Sequence, residues 1–110
     1  MRRVIIESPY AGDIDRNIKY LRACLRDCIL RGEAPFASHG LFTQPGVLRD
    51  EDPEERRLGI ACGFAWRTAA DATVVYTDLG TSNGMRLGIT NAEVLKHPVE
   101  YRKLGLDWEA

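Results

Sequence analysis

Residues 71–84, DATVVYTDLGTSNG, decide how the chain is interpreted. Between its aspartates, the stretch 71–78 is apolar or β-branched throughout, which is typical of a central strand of a parallel sheet. A turn of small residues follows at 80–84, and apolar residues at helical spacing then continue to Val94. Free backbone N–H groups and the positive end of a helix dipole would meet at this turn. A phosphate or a carboxylate group is therefore the expected ligand at this turn.

The rest of the chain repeats this alternation of strand and helix. The predicted strands are 3–8, 33–36, 71–78 and 99–101, and the predicted helices are 14–31, about 53–70, and a third one carried by 85–94 that ends before Pro98. Asp13 and Asp52 are the expected N-caps of the first two helices, and Gly32 is the expected stop of the first. The long connection 37–46 is predicted to be a loop, and long loops often carry function.

Apolar strands alternating with helices predict a small parallel sheet between helical layers, connected by right-handed crossovers. Ligands of such sheets bind beyond the carboxyl ends of the strands. Three segments follow strands and are expected to meet there: 7–13, 38–44 and 78–84.

Composition limits the function classes. The chain has 110 residues, 45% hydrophobic and 28% charged, with a formal net charge of −1. These values predict one compact domain with no general attraction for a nucleic acid polymer or an anionic membrane. No apolar run is long enough to span a membrane and the first residues do not resemble a secretion signal, so we expect a cytoplasmic protein. The mixed charges of 49–57 predict a solvated face, from which Arg56 or Arg57 would lean into a neighbouring subunit's site.

Cysteine usage argues against a disulfide framework or a metal centre. Cys24 and Cys28 lie on the apolar stripe of the first helix and Cys62 stands alone. We expect free thiols, with no metal site and no cofactor. Because so small a domain buries little surface, a homo-oligomer is expected, with Trp108 docked onto a second protomer.

The order of the segments resembles the nucleoside 2-deoxyribosyltransferase-like family. Residues 71–78 and 82–92 are similar to a strand, loop and helix of that family, 4–10 to its first strand and turn, and 35–39 to its second strand and loop. Small phage-type and bacterial proteins of unassigned function also share this pattern. The resemblance implies one such domain over 1–110, an α/β fold formed as a three-layer α/β/α sandwich with a mainly parallel, flavodoxin-like sheet of about four strands.

The same resemblance implies a base near the first loop, a sugar with or without a 5′-phosphate near the third, and a catalytic glutamate on the third helix. In the family pattern Gly-Met-Glu-Leu-Gly, that glutamate aligns with Arg86 of GMRLG, residues 84–88. A guanidinium is neither nucleophile nor base at neutral pH, but it binds anions well. Glu7 and Asp78, each at a strand end, are the candidate catalytic carboxylates in its place.

The candidate ligand-binding residues lie in the same three loops and at the edges of the first and third helices. They are Ser8, Tyr10, Asn17, Ser38, His39, Gly80, Thr81, Ser82, Asn83, Gly84, Met85 and Arg86. Three functions remain open: a binder of a phosphorylated nucleoside, an N-glycosidase or deoxyribosyltransferase that uses Glu7 or Asp78, and a structural or protein-interaction domain with a vestigial pocket. Positive charge at Arg86 favours the first, because glycosidic cleavage develops positive charge at the sugar.

Overall fold

The computed structural model describes all residues from 1 to 110. The elements along the chain are β1 (Arg2–Glu7), α1 (Ile14–Leu30), β2 (Glu33–Phe36), α2 (Ser38–Leu41), α3 (Pro53–Arg67), β3 (Ala72–Tyr76), α4 (Asn83–Val94) and β4 (Val99–Arg102). The strands form one sheet in the order β2-β1-β3-β4, and every pairing is parallel. The predicted α/β class with a small, parallel, flavodoxin-like sheet is confirmed.

Side chains alternate between the two faces of the sheet, and each face is covered by different helices. On one face, Val4, Ile6 and Val74 pack with Tyr20 and other residues of α1 in the main hydrophobic core. On the other face lie α3 and α4. Helix α3 contacts the sheet through Arg67, whose guanidinium donates to Thr73 of β3 and Glu7 of β1. The result is the expected three-layer sandwich.

The helix boundaries follow from local capping. Asp13 and Asp52 accept hydrogen bonds from backbone N–H groups in the first turns of α1 and α3, so both predicted N-caps are confirmed. Helix α4 begins at Asn83, within the predicted turn, because the side chain of Ser82 caps it by accepting from the Met85 N–H. Helix α3 ends at Arg67, three residues before the predicted end, where Thr68 caps it and 68–71 turn the chain into β3.

The connection predicted as a loop over 37–46 contains one short helix, α2. Its close approach to α3 depends on glycine, because a Cβ at Gly63 would overlap with the hydroxymethyl group of Ser38. This contact fixes the beginning of α2 against the side of α3 that faces the sheet. The segment is therefore packed, although its sequence has the composition of a loop.

The C-terminal segment packs on its own chain. The ring of Trp108 lies edge-on to that of Tyr20 on α1, with centroids 4.8 Å apart. The expectation that Trp108 docks onto a second protomer is therefore wrong, because its ring packs against Tyr20 and Arg16 of α1 in the same chain. Cys24, Cys28 and Cys62 are free thiols, the first two buried. No helix combines the length and the apolar content that crossing a membrane would need.

Candidate functional site

A cleft of about 510 Å³ opens at the carboxyl ends of β1 and β2, between α2, α3 and the beginning of α4. All three segments that were expected to converge contribute to it. The predicted site residues that line the cleft are Glu7, Ser8, Tyr10, Ser38, His39, Ser82, Asn83, Gly84 and Met85. Apolar side chains of Phe42, Leu48, Ile60 and Phe64 form part of its wall. The cleft is within the size range of small-molecule sites.

Five predicted site residues lie outside the cleft lining: Asn17, Asp78, Gly80, Thr81 and Arg86. Helical spacing accounts for Arg86, because Met85 and Gly88 face the sheet and position 86 then faces outward. Its exposed guanidinium donates to Asn83 Oδ1 at 2.9 Å. The buried amide of Asn17 donates to the backbone carbonyls of Tyr10 and Ala11, which fixes the loop that forms one rim of the cleft.

Both oxygens of the Asp78 carboxylate are occupied within the protein. The hydroxyl of Tyr20 donates to Oδ1 at 2.5 Å, and the backbone N–H groups of Leu104 and Gly105 donate to the carboxylate at 2.9–3.1 Å. Burial acts to raise the pKa of Asp78, but these hydrogen bonds outweigh it and the pKa is lowered. Asp78 thus joins the C-terminal segment to α1 and the end of β3.

Glu7 has the opposite environment. Its side chain is 13% exposed, and Oε2 accepts one hydrogen bond, from Arg67 Nη2 at 2.9 Å. Oε1 has no hydrogen-bond partner in the protein. Every buried side-chain oxygen of the molecule has such a partner, so Oε1 is not buried and is open to the cleft. Burial raises the pKa of Glu7 above its ordinary value, while the guanidinium of Arg67 opposes the rise.

Helix α4 leaves room for this carboxylate at Gly88. A Cβ at that position would overlap with all three terminal atoms of the Glu7 side chain. The helix backbone therefore packs directly against Glu7, and only glycine allows so close an approach. The carboxylate lies between a strand end, a buried arginine and a helix backbone.

Ser8 and His39 form a second polar group in the cleft. Ser8 Oγ lies 2.7 Å from His39 Nε2, and burial lowers the pKa of His39 to about 4. The imidazole is therefore neutral at pH 7. If Ser8 donates to Nε2, the Nδ1–H of His39 is a free donor, whereas the other tautomer makes Nδ1 an acceptor.

The beginning of α4 offers positive charge at the other end of the cleft. Ser82 and Met85 have acceptors for their backbone N–H groups, whereas those of Asn83 and Gly84 have none in the protein. The guanidinium of Arg56 lies beside them, with Nη2 3.5 Å from the place of a Cβ on Gly84. Its ion pair with Asp50 is long, at 3.5 Å.

Sequence reasoning gave no role to two residues of this arrangement, Arg67 and Gly88, and a different one to Arg56. Arg67 and Gly88 carried no signal of their own, because each is one polar or small position in a helical pattern. Arg56 was expected to lean into a neighbouring subunit, but it lines the cleft of its own chain. The positions 56, 59, 60, 63 and 67 share one helix face, and this spacing is the signal that would have found them.

No group of three or more His, Cys, Asp or Glu side chains is arranged to hold a metal ion. The polar groups that line the cleft include the open carboxylate of Glu7, the neutral imidazole of His39 with Ser8, the carboxylates of Asp50 and Glu55, and the anion-binding end at α4. Hydroxyl and amino groups of a ligand would donate to the carboxylate of Glu7, and an anionic group would bind at the beginning of α4.

A strand order of 2-1-3-4 with a cleft beyond the strand ends defines the class of the protein, a small flavodoxin-like α/β domain with a ligand-sized pocket. The chain belongs to the family described as Domain of unknown function (DUF7768), whose model matches residues 2–102. The comparison with curated proteins returns no significant match.

A solved structure with a similar fold is the 2-deoxyribosyltransferase of the psychrotolerant bacterium Bacillus psychrosaccharolyticus, described as a biocatalyst for the synthesis of antiviral and antitumoral nucleosides. The two chains are 17% identical, and the match covers 92% of this chain and 72% of that one at a TM-score of 0.63. At this identity the similarity establishes the fold.

Proposed function

We propose that the protein binds a nucleoside-type small molecule in the cleft between α2, α3 and α4. The observation that carries this proposal is the cleft itself, which lies at the carboxyl ends of parallel strands and combines an apolar wall with the polar groups of Glu7, Ser8 and His39. The fold similarity to a deoxyribosyltransferase supports a ligand of the nucleoside class. An aromatic base suits the wall with Phe42 and Phe64, and a sugar suits the polar floor.

We further propose that this nucleoside-type ligand carries a phosphate group. The free N–H groups of Asn83 and Gly84, the positive end of α4 and the guanidinium of Arg56 suit an anion. Arg56 replaces Arg86 in this role, because Arg56 lines the cleft and Arg86 is held on the outer face by Asn83.

A second candidate function is cleavage or transfer at the N-glycosidic bond, favoured by the open oxygen of Glu7. In that reaction Oε1 would attack the anomeric carbon, the bond from that carbon to the base nitrogen would break, and the base would leave with the electron pair and take up a proton. Water or a second base would then bond to the anomeric carbon, displace the carboxylate from it and release a proton, which balances the one that the leaving base takes up. Asp78 does not support this role, since both its oxygens are occupied.

The test is a chromatographic assay with a defined panel of probes: nucleosides, deoxynucleosides and their 5′-monophosphates. Each is incubated with the protein, which is then freed of unbound probe and denatured by heat. Intact probe released by denaturation supports the binder, free base in solution supports the enzyme, and neither result with any probe would refute both.

Two pairs of variants assign the groups. Glu7→Gln should abolish any release of base, and Asp78→Asn in a folded protein should leave it unchanged. Arg56→Ala should weaken binding of a 5′-monophosphate by about 1.5–3 kcal/mol, the value of a charge-assisted hydrogen bond, and should leave the nucleoside unaffected. Arg86→Ala is the matched control, and an equal loss in both arginine variants would contradict the role of Arg56.

We also propose that the protein forms a homo-oligomer through the outer face of α3. This face exposes Leu58, Cys62 and Trp66 at intervals of four residues, with Leu58 and Trp66 56% and 54% exposed. A second copy of α3 packed antiparallel about a twofold axis at Cys62 would place each Leu58 opposite a Trp66.

A further inference from the structure

The most deeply buried charge in the molecule, the guanidinium of Arg67, lies next to the open cleft. We infer that Arg67 is a positioning residue, which holds the carboxylate of Glu7 at the floor of the cleft with Oε2 engaged and Oε1 directed to the ligand. This inference rests on the proposed function, because it concerns the same cleft.

The guanidinium is itself fixed from three directions. Nη2 donates to Glu7 Oε2 at 2.9 Å, Nη1 donates to Thr73 Oγ1 at 2.7 Å, and Nε donates to Asn91 Oδ1 at 2.7 Å. Thr73 lies on β3 and Asn91 on α4, so the arginine of α3 is bound to all three neighbouring elements. A side chain bound at both edges of its planar group cannot swing, and its fork then sets the direction of the carboxylate.

The acceptors of Arg67 are fixed in turn. His97 Nε2 lies 2.9 Å from the carbonyl oxygen of Ala70, which can only accept, so Nε2 carries a proton. The hydroxyl of Thr73 lies 3.0 Å from Nδ1 of the same ring. Because a hydroxyl oxygen has two lone pairs, Thr73 can receive the hydrogen bond from Arg67 while it keeps this contact, and the chain of contacts ends at the backbone.

A structural role alone does not account for this placement. Buried ion pairs are often no more stabilising than apolar residues of the same volume, because desolvation offsets the attraction. The main hydrophobic core lies on the other face of the sheet, and the Glu7–Arg67 pair borders the cleft. Helix α4 in addition leaves out a side chain at Gly88 to admit the carboxylate. Helices α3 and α4 thus both meet one acid of β1 whose free oxygen faces solvent.

Charge gives Arg67 a second effect on Glu7. The other titratable side chains lining the cleft are Tyr10, His39, Asp50, Glu55 and Arg56, while α4 packs against Glu7 with its uncharged Gly88. Arg67 is the cation in hydrogen-bond contact with the carboxylate, and it opposes the rise of the Glu7 pKa caused by burial. Removing its charge should allow Glu7 to become protonated closer to neutral pH.

The test requires no ligand: the carboxyl carbon of Glu7 is titrated by NMR in the full chain, with Glu7→Gln used to assign the signal. In Arg67→Met the pKa of Glu7 should rise by about one to three units relative to the wild type. Arg67→Lys, which restores the charge, should bring the pKa back towards the wild-type value. Arg86→Met is the matched control on the outer face and should leave the titration unchanged.

A folded Arg67→Met protein in which Glu7 titrates as in the wild type would overturn the inference. If that variant does not fold, the same titration is made on Asn91→Ala, which frees the Nε edge of the guanidinium. A raised Glu7 pKa there supports the inference, and an unchanged one overturns it. Failure of every probe to bind would refute the proposed function but would leave this titration standing, so the two failures are distinguishable.

Discussion

Two carboxylates follow neighbouring strands, and their surroundings give them different roles. Glu7 keeps one oxygen open to the cleft, and burial raises its pKa. Asp78 has both oxygens filled by donors from Tyr20, Leu104 and Gly105, and its pKa is lowered. At the level of sequence the two residues are equivalent, because both are acids at strand ends. Only the donors that the fold brings to each one distinguish the acid of the cleft from the acid of the scaffold.

The role of Asp78 predicts an acid-sensitive contribution to stability. Its pKa is lower in the folded than in the unfolded protein, so the stabilisation is present above the unfolded value of about 4 and is lost as the pH falls through the folded value. At pH 7, Asp78→Asn should lower the free energy of unfolding by about 2 kcal/mol, because its NH₂ group would face donors. Urea denaturation at pH 7 and pH 3 measures this. If Asp78→Asn lowers the free energy of unfolding by the same amount at both pH values, the stabilising role of the ionised Asp78 is contradicted.

Gly88 predicts a steric effect on stability that Gly84, the other glycine of α4, does not share. Gly88→Ala should lower the free energy of unfolding by about 1–3 kcal/mol, since the new methyl group would overlap with the carboxylate of Glu7. Gly84→Ala is the matched control in the same helix, because its Cβ would meet Arg56 Nη2 at an ordinary 3.5 Å. Thermal denaturation of both variants is the measurement, and equal stability would show that Glu7 yields to the methyl group.

At the scale of elements, α3 has two faces with different tasks. Its inner face contributes Arg56, Gly63 and Arg67 to the cleft, while its outer face exposes Leu58 and Trp66. The cap at Asp52 and the proline at Pro53 predict the beginning of this helix, but Arg56 on its inner face was assigned to solvent or to a second subunit. The C-terminal segment after β4 is a second element whose partner, Tyr20 on α1, is remote in sequence.

Packing of the C-terminal segment predicts that Trp108 contributes measurably to the stability of the fold. Trp108→Ala should lower the free energy of unfolding by about 1–2 kcal/mol through loss of the edge-on contact with Tyr20 and of the cation–π contact with Arg16. Leu106→Ala is the control, since Leu106 is fully exposed. Thermal unfolding followed by circular dichroism compares the two variants. Identical midpoints for both would show that the segment does not stabilise the fold.

At the scale of the whole molecule, the exposed face of α3 predicts association. Light scattering coupled to size-exclusion chromatography should give a mass of about twice that of the chain at tens of micromolar protein. Leu58→Glu should shift the protein towards the monomer, because a charge would be buried against a second copy. Leu87→Glu is the control, on the exposed side of α4. A wild-type monomer at this concentration, or the same shift in both variants, would contradict the proposed interface.

Local patterns determined most of the architecture. Continuous apolar runs indicated parallel strands, aspartates before helices marked their beginnings, and the alternation of elements led to the α/β class and to three converging loops. These features depend on neighbours within a few residues, so the chain itself records them. The cleft wall that includes Ser8, His39 and the beginning of α4 follows from the same reasoning.

Tertiary structure alone decided which polar residue faces the cleft. The pairing of Glu7 with Arg67 joins positions 60 residues apart, and the donors to Asp78 lie 58 residues before it and 26 and 27 residues after it. The outward direction of Arg86 depends on which face of α4 packs on the sheet. Contacts at such separations are set by how the layers stack, and no local periodicity carries that information. Sequence therefore determined the scaffold and the region of the cleft, whereas packing decided which carboxylate and which arginines face it.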